Sequence, residues 1–223
     1  MKISLQHIIA LALSALTVAR PLVAQSTAAQ RTTCAYAPSA PWVQRQALFF
    51  DDSKHTWSDD TLRTALLSAA GITGDLRAPV NYGVQFVGVE AKLGAGADAM
   101  IARLKALGAQ RGSVWPTRSV VGAAGVHAVY LLSQRDTALG RSALHRMMEA
   151  GPDESPAIDV AVFEDHMRLI WGRKQLYGTQ FNRTSDGKTT LAAMEDSAHA
   201  DLRRETAGLP PFKIGTCLAK TWK

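Results

Sequence analysis

The sequence predicts a mostly α-helical α+β fold, with a buried helical core and a small antiparallel hairpin. Several segments repeat apolar residues at helical spacing. One of them, 122–134 (GAAGVHAVYLLSQ), is apolar almost all round and reads as a buried central helix. Towards the C-terminus the pattern shifts to short polar–apolar runs on either side of Asp186-Gly187, which marks a hairpin.

Residues 1–24 have the make-up of a secretory signal peptide. Lys2 supplies the positive start, and 8–18 (IIALALSALTV) the apolar segment. At about 11 residues that segment is too short to cross a bilayer, which takes roughly 20. The favoured cleavage follows Ala24, with Ala19 and Ala29 as alternatives. Residues 25–41, rich in Ala, Ser, Thr and Pro, form a flexible leader, and 42–223 a single globular domain.

Within that domain, Ser58 caps a first helix with Asp59 and Asp60 in its opening turn; Leu62, Leu66 and Leu67 make its stripe and Gly71 its end. Val80, Tyr82, Val84 and Phe86 alternate as in a strand. A second helix covers 97–107, closed by Gly108. Trp115-Pro116-Thr117 turns the chain into the central helix, and Asp136 caps the next, 138–150. Ser155-Pro156 opens another, which runs to about Trp171 before Gly172. Hairpin strands occupy 175–181 and 188–191. A last helix covers 191–207, before Pro210-Pro211.

The chain has 223 residues and a formal charge of +6. Loss of Lys2 and Arg20 with the signal lowers that charge by two. Basic residues alternate with acids and form no stripe, which argues against a nucleic-acid surface. No later segment reaches membrane-spanning length. Cys34 and Cys217 are the two cysteines. In an oxidising compartment they pair as a bridge closing about 180 residues, worth on the order of 5 kcal/mol; the alternative is two buried thiols. The six histidines are scattered and no metal-ligand spacing occurs, so no metal or cofactor is called for.

Polar residues concentrate on the helix from Pro156 to Trp171. Asp165 shares a stripe with apolar Val162 and Leu169, while Phe163, Met167, Ile170 and Trp171 make a second apolar stripe. A helix apolar on two sides is buried, so Asp165 needs a cation or several donors. Gln134 and Arg135 close the central helix and offer such groups. On the other side, Gln175, Tyr177 and Thr179 alternate with Leu176, Gly178 and Gln180. Two readings follow. In one, Gln134, Arg135, Gln175, Tyr177 and Gln180 line a pocket for a small polar or anionic ligand or an envelope protein partner. The alternative for the same site is a hydrolase, with Asp165 and His166 as acid–base pair and Arg135 as anion clamp. In the other, the same groups form a buried network that pins the helices to the hairpin. His55, His127, His145 and His199 read as ordinary surface or core histidines.

Several short motifs resemble an uncharacterised bacterial domain family of unknown function. They are Trp115-Pro116-Thr117 with Gly122, Tyr130-Leu131-Leu132-Ser133-Gln134 before Asp136, and 161–165. Gly172-x-x-Gln175-x-Tyr177-Gly178-Thr179-Gln180-Phe181, Arg203-Arg204 and Gly208-Leu209-Pro210-Pro211 complete the set. The similarity spans about 110–212, and Gln-x-Tyr-Gly-Thr-Gln is its most specific part. Two positions depart from the family pattern, which has His where this chain has Arg135 and Arg where it has His166. A traded pair suggests two positions facing one cavity. The resemblance implies no activity.

Overall fold

The structure is a computed structural model that describes residues 34, 36, 40–73, 84–87, 92–110 and 112–221. The signal peptide, most of the leader and the strand positions Val80 and Tyr82 lie outside the described residues. Among the described residues, eight α-helices and three short strands follow in order: α1 (Pro41–Phe49), α2 (Asp60–Ala69), β1 (Gln85–Phe86), α3 (Ala97–Ala109), α4 (Arg118–Ser133), α5 (Thr137–Ala150), α6 (Ala157–Ile170), β2 (Gln180–Arg183), β3 (Thr189–Leu191), α7 (Ala200–Thr206) and α8 (Phe212–Thr221).

The central helix is as apolar in its surroundings as in its sequence. From Val121 to Tyr130 every residue of α4 is buried. It packs among α2, α3, α5 and α6, with Leu66, Leu104, Leu132, Leu139 and Phe163 all fully buried. Each such side chain stabilises the fold by roughly 1.5–3 kcal/mol relative to exposure. Near its start α4 is broken at Gly122 (φ 69°, ψ 168°). Asp52, far away in sequence, repairs the break: its carboxylate accepts from Ala123 N (3.0 Å) and pairs with Arg63 (3.1 Å). Arg63 in turn donates to Val121 O (2.9 Å). A Cβ at Gly122 would stand 2.6 Å from the Arg63 guanidinium, so this left-handed position accepts only glycine.

Of the capping expectations, Asp136 holds, the α2 cap shifts by one residue, and Ser155 does not cap α6, which opens at Ala157 on Pro156 with no side-chain cap. Asp136 accepts from Leu139 N (2.8 Å) at the head of α5. On α2 the cap is Asp59, which accepts from Leu62 N (2.8 Å), in place of Ser58. Gly108 lies inside α3 rather than ending it. Its missing side chain serves packing, since a Cβ there would come within 3.2 Å of Ser142 on α5.

The strands form a three-stranded sheet in the order β1-β2-β3. β2 and β3 are the antiparallel hairpin, with Phe181 opposite Leu191, and β1 adds in parallel, with Gln85 opposite Gln180. The expected last helix begins only at Ala200. Before it, 192–195 is held extended by Gln175, whose N–H donates to Ala193 O (3.0 Å) and whose carbonyl accepts from Glu195 N (2.9 Å). These bonds fix backbone groups that a helix starting at Leu191 would need. α1 and α8 extend the fold at both ends and were not anticipated. With the sheet they build a second core of Cys34, Trp42, Val84, Phe181, Leu218 and Ala219. Cys34 and Cys217 join across it as a disulfide, with Cα atoms 5.7 Å apart. Among the described residues no helix is long and apolar enough to cross a membrane.

Candidate functional site

Asp165 is fully buried, and its partners come from the segment after α6. Its carboxylate accepts from Leu176 N (2.6 Å), Tyr177 N (3.1 Å), Thr179 N (3.0 Å) and Thr179 Oγ1 (2.8 Å). Such convergence of backbone N–H groups makes an anion-binding concavity. The turn depends on Gly178 at φ 69°, where a Cβ would meet the Phe212 ring at 2.7 Å.

The carbonyls of the same turn point the other way, to Arg204. This fully buried guanidinium donates to Tyr177 O (2.7 Å), Gly178 O (3.2 Å) and Pro210 O (2.6 Å). Burial lowers Arg204 to about 10, against the nearby charges of Asp201 and Asp165. The loop therefore sits between a carboxylate on its donor side and a guanidinium on its acceptor side, with its peptide dipoles aligned to both. Gly215 on α8 leaves room for the guanidinium; a Cβ there would lie 2.3 Å from it.

Gln175 and Gln180 extend this frame into the sheet. The Gln175 amide accepts from Gln180 N (2.9 Å) and donates to Gln180 O (3.1 Å) and Ala192 O (2.8 Å), so a side chain replaces a missing strand partner. Gln180 Nε2 donates to Val162 O (3.1 Å) on α6 and to Gln85 Oε1 (3.1 Å). Gln85 continues the chain of amides to Gln134 at the end of α4. Tyr130 also donates to Gln85 (3.4 Å), and burial raises the Tyr130 hydroxyl far above its ordinary value.

The remaining candidates spread outward. Tyr177 donates its hydroxyl to Glu164 (3.3 Å); burial and that carboxylate push it up to about 12. Burial likewise raises Glu164. His166 is half-buried, its Nε2 has no hydrogen-bond partner, and burial lowers its pKa. Arg135 is exposed just beyond α4. The structure thus gathers Asp165, Gln175, Tyr177, Gln180 and Gln134 into one connected frame, while His166 and Arg135 lie outside the bonds made to Asp165.

Two arrangements escaped the sequence reading. One is a buried pair on α4 and α6, His127 Nδ1 to Asp159 Oδ2 at 2.8 Å, with the rings of Phe50 and Tyr130 against the imidazole. A lone His and a lone Asp on separate helices carry no motif. The other is a cleft of about 550 Å³ between α5 and α6, walled by Arg141, His145, Glu164, Arg168, Trp171 and Arg173. Arg141 lies over the Trp171 ring at 5.0 Å. Arg168 donates to Lys174 O (2.7 Å) and pairs with Glu195. Glu164, Arg168 and Trp171 recur at i, i+4 and i+7, so they share a stripe that Asp165 does not. That spacing was the available signal.

The sequence pattern of a family of unknown function, DUF6624, matches residues 55–219. The chain belongs to that family. The DUF6624 region runs from before α2 into α8 and so contains the whole Asp165–Arg204 frame and the arginine cleft. It also begins well before the 110–212 span that the short motifs cover. No curated protein and no solved structure matches the chain significantly.

Proposed function

We propose that this DUF6624 chain is an exported binding protein for a small anionic ligand, held in the cleft between α5 and α6. The observation that carries this reading is the convergence of Arg141, Arg168 and Arg173 on one cleft of about 550 Å³, within the size range of small-molecule sites. Stacking on Trp171 orients the Arg141 guanidinium while leaving its donor edge available. Trp171 Nε1 is buried without an acceptor, so a further donor is at hand. Export is supported by the signal-like start and by the Cys34–Cys217 pair, which suits an oxidising compartment.

The polar residues picked out in sequence then have a supporting role. Asp165, Gln175 and Gln180 orient the turn after α6, while their neighbours Glu164 and Arg168 face the cleft. The hydrolytic alternative asks Asp165 and His166 to exchange a proton, yet the carboxylate already accepts from Leu176, Tyr177 and Thr179.

Calorimetric titration with citrate and with inorganic phosphate tests the proposal. Saturable binding is expected, weakened about tenfold or more in Arg141→Ala/Arg173→Ala, because each charge-assisted hydrogen bond is worth about 1.5–3 kcal/mol. Glu164→Gln, which removes a like charge from the wall, is expected to tighten binding. Heats that never saturate, or equal affinity in the arginine variant, would overturn it.

A further inference from the structure

A second groove crosses the opposite end of α6, with different chemistry at its two ends. One lobe, about 490 Å³, is apolar and lined by Met147, Met148, Val160, Tyr177 and Leu202. Met148 and Leu202 on its wall are 55% and 66% exposed, so apolar surface there is open to an occupant. The other lobe, about 400 Å³, is lined by Arg45, Arg118, Gln46, Phe49 and Phe50, with Asp153 as its acid. Pro152, Ala157, Thr206 and Ala207 line both, so the lobes meet over the first turn of α6.

The second lobe is built to hold negative charge. Arg118 lies over the Phe49 ring at 4.6 Å and donates to Leu48 O (3.3 Å), while its Nε has no partner. α6 opens there on Pro156 with no side-chain cap, so no capping oxygen meets its first N–H groups, while its first-turn acid, Asp159, is turned to His127. Gln46 is 4% exposed; its Nε2 donates to Gly208 O (3.2 Å) and its Oε1 accepts from nothing. An occupant of this lobe therefore meets two arginines against one acid, Asp153, and one unmet acceptor, and the apolar lobe next to it takes a hydrocarbon tail.

We infer that this groove binds a free hydroxy fatty acid, with its carboxylate at Arg118 and the start of α6, its hydroxyl near Gln46, and its chain along Met147, Val160 and Leu202. The site shares no arginine with the cleft between α5 and α6, so either assignment stands or falls without the other.

The experiment is a titration of the intact protein with 3-hydroxyoctanoate, 3-hydroxydecanoate and 3-hydroxydodecanoate below their micelle concentrations. Affinity is expected to rise about fourfold per methylene, the equivalent of about 0.8 kcal/mol for each buried CH₂. Leu202→Asp should flatten that slope. Arg118→Ala should weaken every member about tenfold and leave the slope intact; Arg45→Ala serves as the second head-group variant if circular dichroism shows that Arg118→Ala misfolds. Affinity independent of chain length overturns the inference. So does an unchanged affinity in the folded head-group variant, or a concentration-dependent dimer that Leu202→Asp abolishes, which would assign the apolar lobe to a second copy of the chain.

Discussion

α6 carries two buried carboxylates less than two turns apart, and they are satisfied in opposite ways. Asp165 takes its hydrogen bonds from one loop, through three backbone amides and a hydroxyl. Asp159, in the first turn, meets the imidazole of His127 on another helix. A loop wrapped on a carboxylate cannot leave without exposing several donors together. A side-chain pair can be broken by rotating one ring. The first arrangement orders the chain; the second joins two helices already held by their apolar faces.

Substitutions that separate these roles are expected to rank as follows. Asp165→Ala strands the amides of 176, 177 and 179 in a dry interior. At about 1–3 kcal/mol for each buried unsatisfied group, partly relieved by water, the loss should be on the order of 4 kcal/mol in urea unfolding. Arg204→Met bares the carbonyls on the far side of the same turn, and about 3 kcal/mol is expected. Asp159→Asn keeps an acceptor for His127 and loses only the charge, so about 1 kcal/mol should suffice. A loss at Asp159 equal to that at Asp165 would break the contrast.

The smallest effect is one of pH. Burial holds His166 below its ordinary 6.5, so the unfolded chain takes up the proton first. Stability is therefore full above that value and falls as pH drops from it towards the folded pKa. In His166→Phe this part of the pH dependence should vanish, with little change at pH 8, as read from melting temperatures across the range.

The helices were legible because their signals are local: the apolar run of α4, the Asp136 cap, and the glycine stop at 172. The burial of Asp165 was legible too, from apolar stripes on both sides of it. Its partners were not. The end of the central helix offered Arg135 as a cationic partner, but the carboxylate is met by backbone amides, and their convergence depends on the left-handed turn at Gly178. Spacing does not encode such a turn. Arg204 was seen only as part of a motif, since nothing in Arg203-Arg204 says which of the two is buried. α8 is masked by Pro210-Pro211, which reads as the end of the helical pattern, although Gly215, Leu218 and Ala219 share one face. Gln175 overrode the helical pattern after Leu191, a contact between segments that no window of sequence contains.

Amide hydrogen exchange at Leu176, Tyr177 and Thr179 is the most direct test of the Asp165 turn as a scaffold rather than a ligand wall. In the native protein these amides should exchange as slowly as the core of α4, and citrate bound between α5 and α6 should leave them unchanged. In Asp165→Asn they should exchange far faster while α4 stays protected. Fast exchange in the native chain that citrate suppresses would instead make this turn the binding site.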